Sequence, residues 1–183
     1  MKKAVIVVLF MLFLCGFGGE QSEYLVSSMG FEHSDNSYNV YFEAVVVNNE
    51  TTTQSLKLFE AEADTIDQAV GKIKKQCARP LLFSHCGVII IDNKMPYKKF
   101  LEVCDFCYRE EEITLSAYFI KANNPKEILM VKPLSSVSVG YDIMGILKQN
   151  SNCKNRFFEI INSKYKTGLP IISKREGGLY FNG

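Results

Sequence analysis

Four consecutive β-branched residues near the middle of the chain, Val88, Ile89, Ile90 and Ile91, constrain its fold more than any other feature. Side chains of this type favour extended backbone. Successive side chains of a strand point to opposite faces of its sheet, so apolar residues at every position indicate a strand that is buried on both faces. Residues 87–91 therefore predict a central strand with packed elements above and below it.

Three further strands are predicted ahead of that central strand. Residues 25–31 are apolar, and in residues 38–44 apolar and polar side chains alternate with the period of a half-buried strand, with Glu43 on the polar side. Residues 35–37 between them are turn formers, so the first two strands should form a hairpin. Residues 56–63 supply the third strand.

Helical spacing begins after these strands. Residues 66–77 carry one apolar stripe, Thr65 is a suitable N-cap, and Pro80 stops the helix. The other predicted helices are 97–108, 125–130, 139–147 and 156–165, and one more strand is predicted at 114–120. The tail after Pro170 has two short apolar segments, 171–172 and 179–181, around a charged Gly-Gly turn. Because the early strands come as a run, we predict an α+β fold: a mixed, largely antiparallel sheet with helices packed on its faces.

The N-terminus has the pattern of an export signal. Two lysines precede an apolar run over residues 4–14, which is shorter than the roughly 20 residues that a membrane span requires. The run ends at Cys15, and bacterial lipoproteins are cleaved before such a cysteine and diacylated on its sulfur. We therefore expect residues 1–15 to form the signal region, with Cys15 as the lipid-attachment residue.

Two alternatives to lipidation remain open. Leu14 occupies a position that usually holds a small residue in lipoproteins. Cleavage after Gly18, as in an ordinary secretory signal, is one alternative, and an uncleaved anchor is the other.

The near-zero net charge argues against two classes of binding partner. The chain has 21 Lys and Arg against 20 Asp and Glu, a formal net charge of +1. This balance gives no basic face for nucleic acid and no polybasic patch for anionic lipid. Attachment to a membrane must then depend on the N-terminus.

The cysteines suggest one candidate enzyme activity. Cys104 and Cys107 form a C-x-x-C pair, and an exported thiol oxidoreductase using them is an alternative function. Redox pairs of this type lie at a helix N-terminus, whereas these two fall late in their helix on its apolar stripe. Five cysteines remain besides Cys15, which do not all pair internally, so we interpret most as small buried hydrophobes.

Two other polar clusters are candidate catalytic sites. Ser84, His85 and Cys86 bring a hydroxyl, an imidazole and a thiol together, but neighbouring residues in extended chain point in opposite directions. The three glutamates at 110–112 are typical of a solvated turn. We therefore predict no catalytic residue, no metal site and no cofactor.

One run of motifs resembles a known family. Arg79 is followed by Phe83, Ser84 and His85 and then by the apolar strand at 88–91. This order is similar to the R-x-x-x-F-S-H segment of the C subunits of spore germinant receptors, the Ger(x)C lipoproteins of spore-forming bacteria.

The resemblance continues on both sides of that segment. Arg109 and Glu112 stand as in the family's R-x-x-E-I segment, and Cys15, Glu20 and Glu23 match its N-terminal layout. Full members of the family are longer. The resemblance implies that residues 16–183 form a single domain, the family's N-terminal domain, truncated at its C-terminal end.

The resemblance also implies a function. It indicates a non-enzymatic subunit, lipid-anchored at the outer surface of the inner spore membrane, that acts with membrane-embedded A and B subunits in the response to nutrient germinants. An unrelated surface-anchored ligand-binding lipoprotein is a further alternative. We expect the motif residues to be structural, with Phe83 buried and Ser84 or His85 hydrogen-bonding the loop between the helix at 66–77 and the strand at 88–91.

Overall fold

Six stretches of the chain are described by the computed structural model. They are residues 23–48, 53–134, 136–149, 155–166, 168–176 and 178–182. The signal region at 1–15, Cys15 itself, Glu20 and Cys153 lie outside them. Among the described helices, none combines the length and the apolar character needed to cross a membrane.

The described residues form eight strands and five helices. The strands are β1 (Tyr24–Ser34), β2 (Ser37–Asn48), β3 (Thr53–Ala63), β4 (Leu81–Leu82), β5 (Val88–Asp92), β6 (Tyr118–Ala122), β7 (Ile171–Arg175) and β8 (Gly178–Asn182). The helices are α1 (Ile66–Gln76), α2 (Tyr97–Arg109), α3 (Pro125–Leu129), α4 (Val139–Gln149) and α5 (Phe157–Asn162).

All eight strands belong to one mixed sheet. Its order is β3-β2-β1-β5-β6-β7-β8, and the short β4 also pairs with β1. The strands β1, β5, β6 and β7 run parallel, while the long β1–β2 and β2–β3 pairs and the β7–β8 pair are antiparallel. The predicted α+β class with a mixed sheet is confirmed, and β5 is the central strand that its β-branched run indicated.

Each face of the sheet packs against its own apolar core. Ile89 and Ile91 belong to the first core, with residues of α1 and α2, and Val88 and Ile90 belong to the second, with residues of α3 and α4. All four side chains are at most 1% exposed. The alternation explains why this strand has no polar face.

The β1–β2 hairpin turns through Asp35 and Asn36. Their φ values are 49° and 78°, and Ser34 pairs with Ser37 on the other side. A two-residue turn with positive φ at both positions matches the twist of the flanking strands, and Asp and Asn tolerate that conformation better than most residues. The predicted hairpin is therefore confirmed, and its turn fixes the register.

Helix α1 begins where the capping pattern indicated. The Thr65 hydroxyl accepts a hydrogen bond from the backbone N–H of Gln68 at 3.3 Å. Asp67 lies in the first turn and Lys74 and Lys75 in the last, the arrangement that the helix dipole favours.

Among the predicted boundaries that differ from the structure, those of β6 and α5 have a clear physical reason. Strand β6 begins at Tyr118 because residues 114–117 form a turn closed by the Ala117 N–H and the Thr114 carbonyl. Helix α5 ends at Asn162, well before the predicted residue 165, and the structure of its C-terminus explains the difference.

The chain after α5 adopts a Schellman motif. The N–H of Lys164 donates to the Ile161 carbonyl at 2.9 Å, and that of Tyr165 donates to the Ile160 carbonyl at 2.8 Å. Lys164 and Tyr165 have φ values of 53° and 61°, in the left-handed region that ends helices. Glycine usually occupies the first of these positions, so the sequence carried no stop signal.

Candidate functional site

Phe83 anchors the turn between β4 and β5 in the first core. Its side chain is 1% exposed, and its ring lies edge-on to that of Phe42 with 5.2 Å between centroids. The Lys74 ammonium lies 5.3 Å from the centroid of the same ring. The expected burial of Phe83 is thus observed, and it fixes the position of the turn that follows.

Glu112 holds the backbone of that turn. The N–H of Phe83 donates to the Glu112 carboxylate at 2.7 Å, and the Phe83 carbonyl accepts from the N–H of Cys86 at 2.9 Å. A charged acceptor makes the first of these a strong hydrogen bond. The two motif segments, 29 residues apart in the chain, therefore meet at this turn.

Arg109 connects the end of α2 to the start of α1. Its Nε donates to Asp105 at 2.9 Å and its Nη2 to Asp67 at 3.1 Å. These two hydrogen bonds raise the pKa of the guanidinium. The group is exposed, so these ion pairs link the two helices but contribute little to stability.

Arg79 lies at the beginning of β1. Its guanidinium carbon is 5.8 Å from the centroid of the Tyr24 ring, and Lys57 lies 5.2 Å from the same centroid. The adjacent Pro80 carbonyl accepts a 2.9 Å hydrogen bond from the Tyr24 N–H. This motif residue therefore lies where the first strand enters the domain.

Ser84 and His85 do not hold the loop together, contrary to expectation. Both are exposed, and the described part of the chain gives neither side chain a hydrogen bond. The carboxylate of Glu112 takes the role that we assigned to them. A rigid turn thus presents a hydroxyl and an imidazole to solvent, which makes this pair a candidate contact surface.

The neighbouring Cys86 points the other way. Its side chain is fully buried and its sulfur lies 3.7 Å from the Val88 carbonyl. Ser84, His85 and Cys86 consequently form no nucleophile–base pair, as the alternation of extended chain predicted.

The buried thiols are poorly suited to redox chemistry. Cys86, Cys104 and Cys107 are each at most 1% exposed and unbonded. Burial raises the pKa of Cys86 and of Cys104 to about 12, and it raises the pKa of Cys107 well above its ordinary value. All three stay protonated at neutral pH, whereas a thiolate is the reactive form. No group of metal-binding side chains occurs among the described residues.

Sequence reasoning missed Glu43. We expected it on the polar side of a half-buried strand, but it is 2% exposed because the first residues of α4 lie against it. Its carboxylate accepts hydrogen bonds from Val139 N–H at 2.8 Å and Gly140 N–H at 3.1 Å, at the start of α4. A strand residue therefore caps this helix.

Two serines of β1 also donate hydrogen bonds to the Glu43 carboxylate. The hydroxyls of Ser27 and Ser28 both donate to its Oε2 at 2.7 Å. The β1–β2 register shifts between Val26 and Ser28, and this bulge lets consecutive side chains reach one acceptor. Two adjacent serines within an otherwise apolar strand were the feature of the sequence that could have indicated a buried polar partner.

Comparison with known proteins agrees with this architecture. Residues 21–174 match the family described as the spore germination protein N-terminal domain. The matched range includes both motif segments and all elements from β1 to α5. No curated protein and no solved structure matches the chain. Since the match covers most of its length, the chain belongs to the spore germination protein N-terminal domain family.

Proposed function

We propose that this protein is a non-enzymatic subunit of a nutrient germinant receptor, anchored by lipid on Cys15 at the outer surface of the inner spore membrane. It would act there with membrane-embedded A and B subunits. The family match over residues 21–174 carries the proposal, because it supports a role in spore germination.

The position of Cys15 suits a short tether. Tyr24, the first residue of β1, is nine positions after Cys15. Nine residues span at most about 30 Å when extended. Lipid on Cys15 would thus keep the β1 end of the sheet, where Arg79 lies, within about one domain diameter of the membrane.

The exposed pair Ser84 and His85 is the surface that we propose for contact with a partner subunit. Phe83 and Glu112 fix the turn from both sides, so binding a partner would order little additional chain. Exposed side chains of this kind are also free to change without affecting the fold.

A complementation experiment tests this contact. Spores lacking the gene would receive the wild-type gene, a His85→Ala variant or a Lys148→Ala control, whose lysine is exposed on α4 across the sheet. We expect the His85→Ala spores to germinate more slowly with nutrients, at wild-type protein level and melting temperature. Wild-type germination by the double Ser84→Ala, His85→Ala variant would rule out this contact surface.

The buried thiols favour this proposal over an exported oxidoreductase. Alkylation of the folded protein at pH 8, with each site mapped by mass spectrometry, compares the two functions. We expect Cys86, Cys104 and Cys107 to react only after unfolding, since their raised pKa values leave little thiolate. Fast labelling of Cys104 or Cys107 in the folded protein would favour the enzyme.

The other alternative, a surface-anchored ligand-binding lipoprotein with no role in germination, predicts a different time of expression. A germination subunit should be made only in the developing spore. Its appearance in vegetative cells would favour this other function.

A further inference from the structure

A small cavity lies beyond the carboxyl ends of two parallel strands. It has a volume of about 160 Å³, and its floor is formed by Ile91 of β5 and Lys121 of β6. Met95, just before α2, and Phe100, in its first turn, also line it.

Most residues that line the cavity are apolar or aromatic, and part of the surface that they present is polar. Tyr97 and Phe100 approach from α2, and Tyr165 and Leu169 approach from the segment after α5. Tyr165 has a φ of 61°, a conformation that a bulky side chain rarely adopts. This conformation belongs to the Schellman motif that ends α5, and the ring of Tyr165 lines the cavity.

Lys121 is the charged residue of the cavity. It lies on the same face of β6 as the buried Phe119, in register with Ile91. Within the described part of the chain no carboxylate pairs with its ammonium, the cavity lining contains no acidic residue, and the first turn of α2 has none. Lys121 is partly exposed and has no carboxylate partner among the described residues, so an anion that enters the cavity could pair with it.

We propose that this cavity binds a small monocarboxylate with a compact apolar body, the carboxylate pairing with Lys121 and the body lying against Phe100 and Tyr165. An apolar cavity of roughly 150 Å³ holds a molecule the size of benzene, which sets the size of the ligand. The missing acidic residue disfavours an amine. This inference does not depend on the receptor assembly proposed above.

Calorimetric titration of the full chain in mild detergent tests the site at pH 7, with detergent alone as the blank. Benzoate is the probe, benzamide its neutral counterpart, and benzylamine its cationic one. We expect benzoate to bind with a Kd of about 1 mM or tighter. Benzamide should bind at least about tenfold more weakly, since it lacks the charge-assisted hydrogen bond, and benzylamine should not bind.

Substitutions of Lys121 test whether benzoate binds in this cavity. Lys121→Met keeps the apolar stem and should weaken benzoate binding at least about tenfold. Lys121→Arg should retain it, and Lys148→Met, on the far face of the sheet, should leave it unchanged. Absence of benzoate binding up to about 10 mM, equal binding of benzamide, or equal affinity in a folded Lys121→Met variant would each overturn the proposal.

Discussion

The Glu112 carboxylate accepts a 2.7 Å hydrogen bond from the backbone N–H of Phe83, joining the two motif segments of this family at one turn. One segment contributes the buried ring and the other the charged acceptor. The turn that they hold is the one that exposes Ser84 and His85. Substitutions of Phe83 and of Glu112 therefore each test whether this contact holds the turn.

Replacing Glu112 by alanine should lower the free energy of unfolding by about 1 kcal/mol. The Phe83 N–H would lose a charged acceptor, but the Glu112 side chain is exposed, so solvent screens part of this interaction. Urea denaturation measures the change, with Glu111→Ala, also exposed but without this hydrogen bond, as the control. Equal stability of the two variants would show that the bond does not hold the turn.

Phe83 and His85 should differ sharply despite being two positions apart. Phe83→Ala empties a site in the first core and should cost about 3–5 kcal/mol. His85→Ala removes an exposed side chain and should change stability by less than about 0.5 kcal/mol. The same denaturation series measures both. A loss above about 1 kcal/mol for His85→Ala would restore the structural role that the sequence had led us to expect.

Glu43→Gln should destabilise the protein by roughly 2–3 kcal/mol. The amide turns one acceptor oxygen into a donor facing groups that are themselves donors, and this site is buried. The effect should include faster amide hydrogen exchange at the start of α4. Glu111→Gln is the control, and unchanged exchange at Val139 and Gly140 would contradict the capping role.

Lys164→Gly should raise stability by about 0.5–1 kcal/mol. Glycine adopts the left-handed conformation of this position without the penalty that a side chain carries. Lys166→Gly, where φ is not positive, should lower stability slightly. Thermal unfolding compares the two variants, and a lower melting temperature for Lys164→Gly would contradict the argument.

The local parts of the fold were predictable from sequence. The β-branched run at 88–91, the Asp35–Asn36 turn and the Thr65 cap each depend on residues close in the chain, and all three are confirmed. The capping of α4 by Glu43 was not predictable, because Val139 is 96 residues away and the Ser27–Ser28 pair alone does not identify its acceptor. Glu112 was predicted as a motif residue. Its hydrogen bond to Phe83 was not predicted, because β5 and α2 lie between the two residues in the chain.

Membrane attachment of the protein in dormant spores tests the central proposal most directly. Spores lacking the gene would carry either wild-type protein or Cys15→Ala, with fatty-acid labelling, membrane fractionation and nutrient-induced germination measured together. We predict that the wild type is labelled, fractionates with the inner membrane and restores germination, whereas Cys15→Ala is unlabelled and restores it poorly. Labelling that persists in Cys15→Ala, or normal nutrient germination without the gene, would contradict the account.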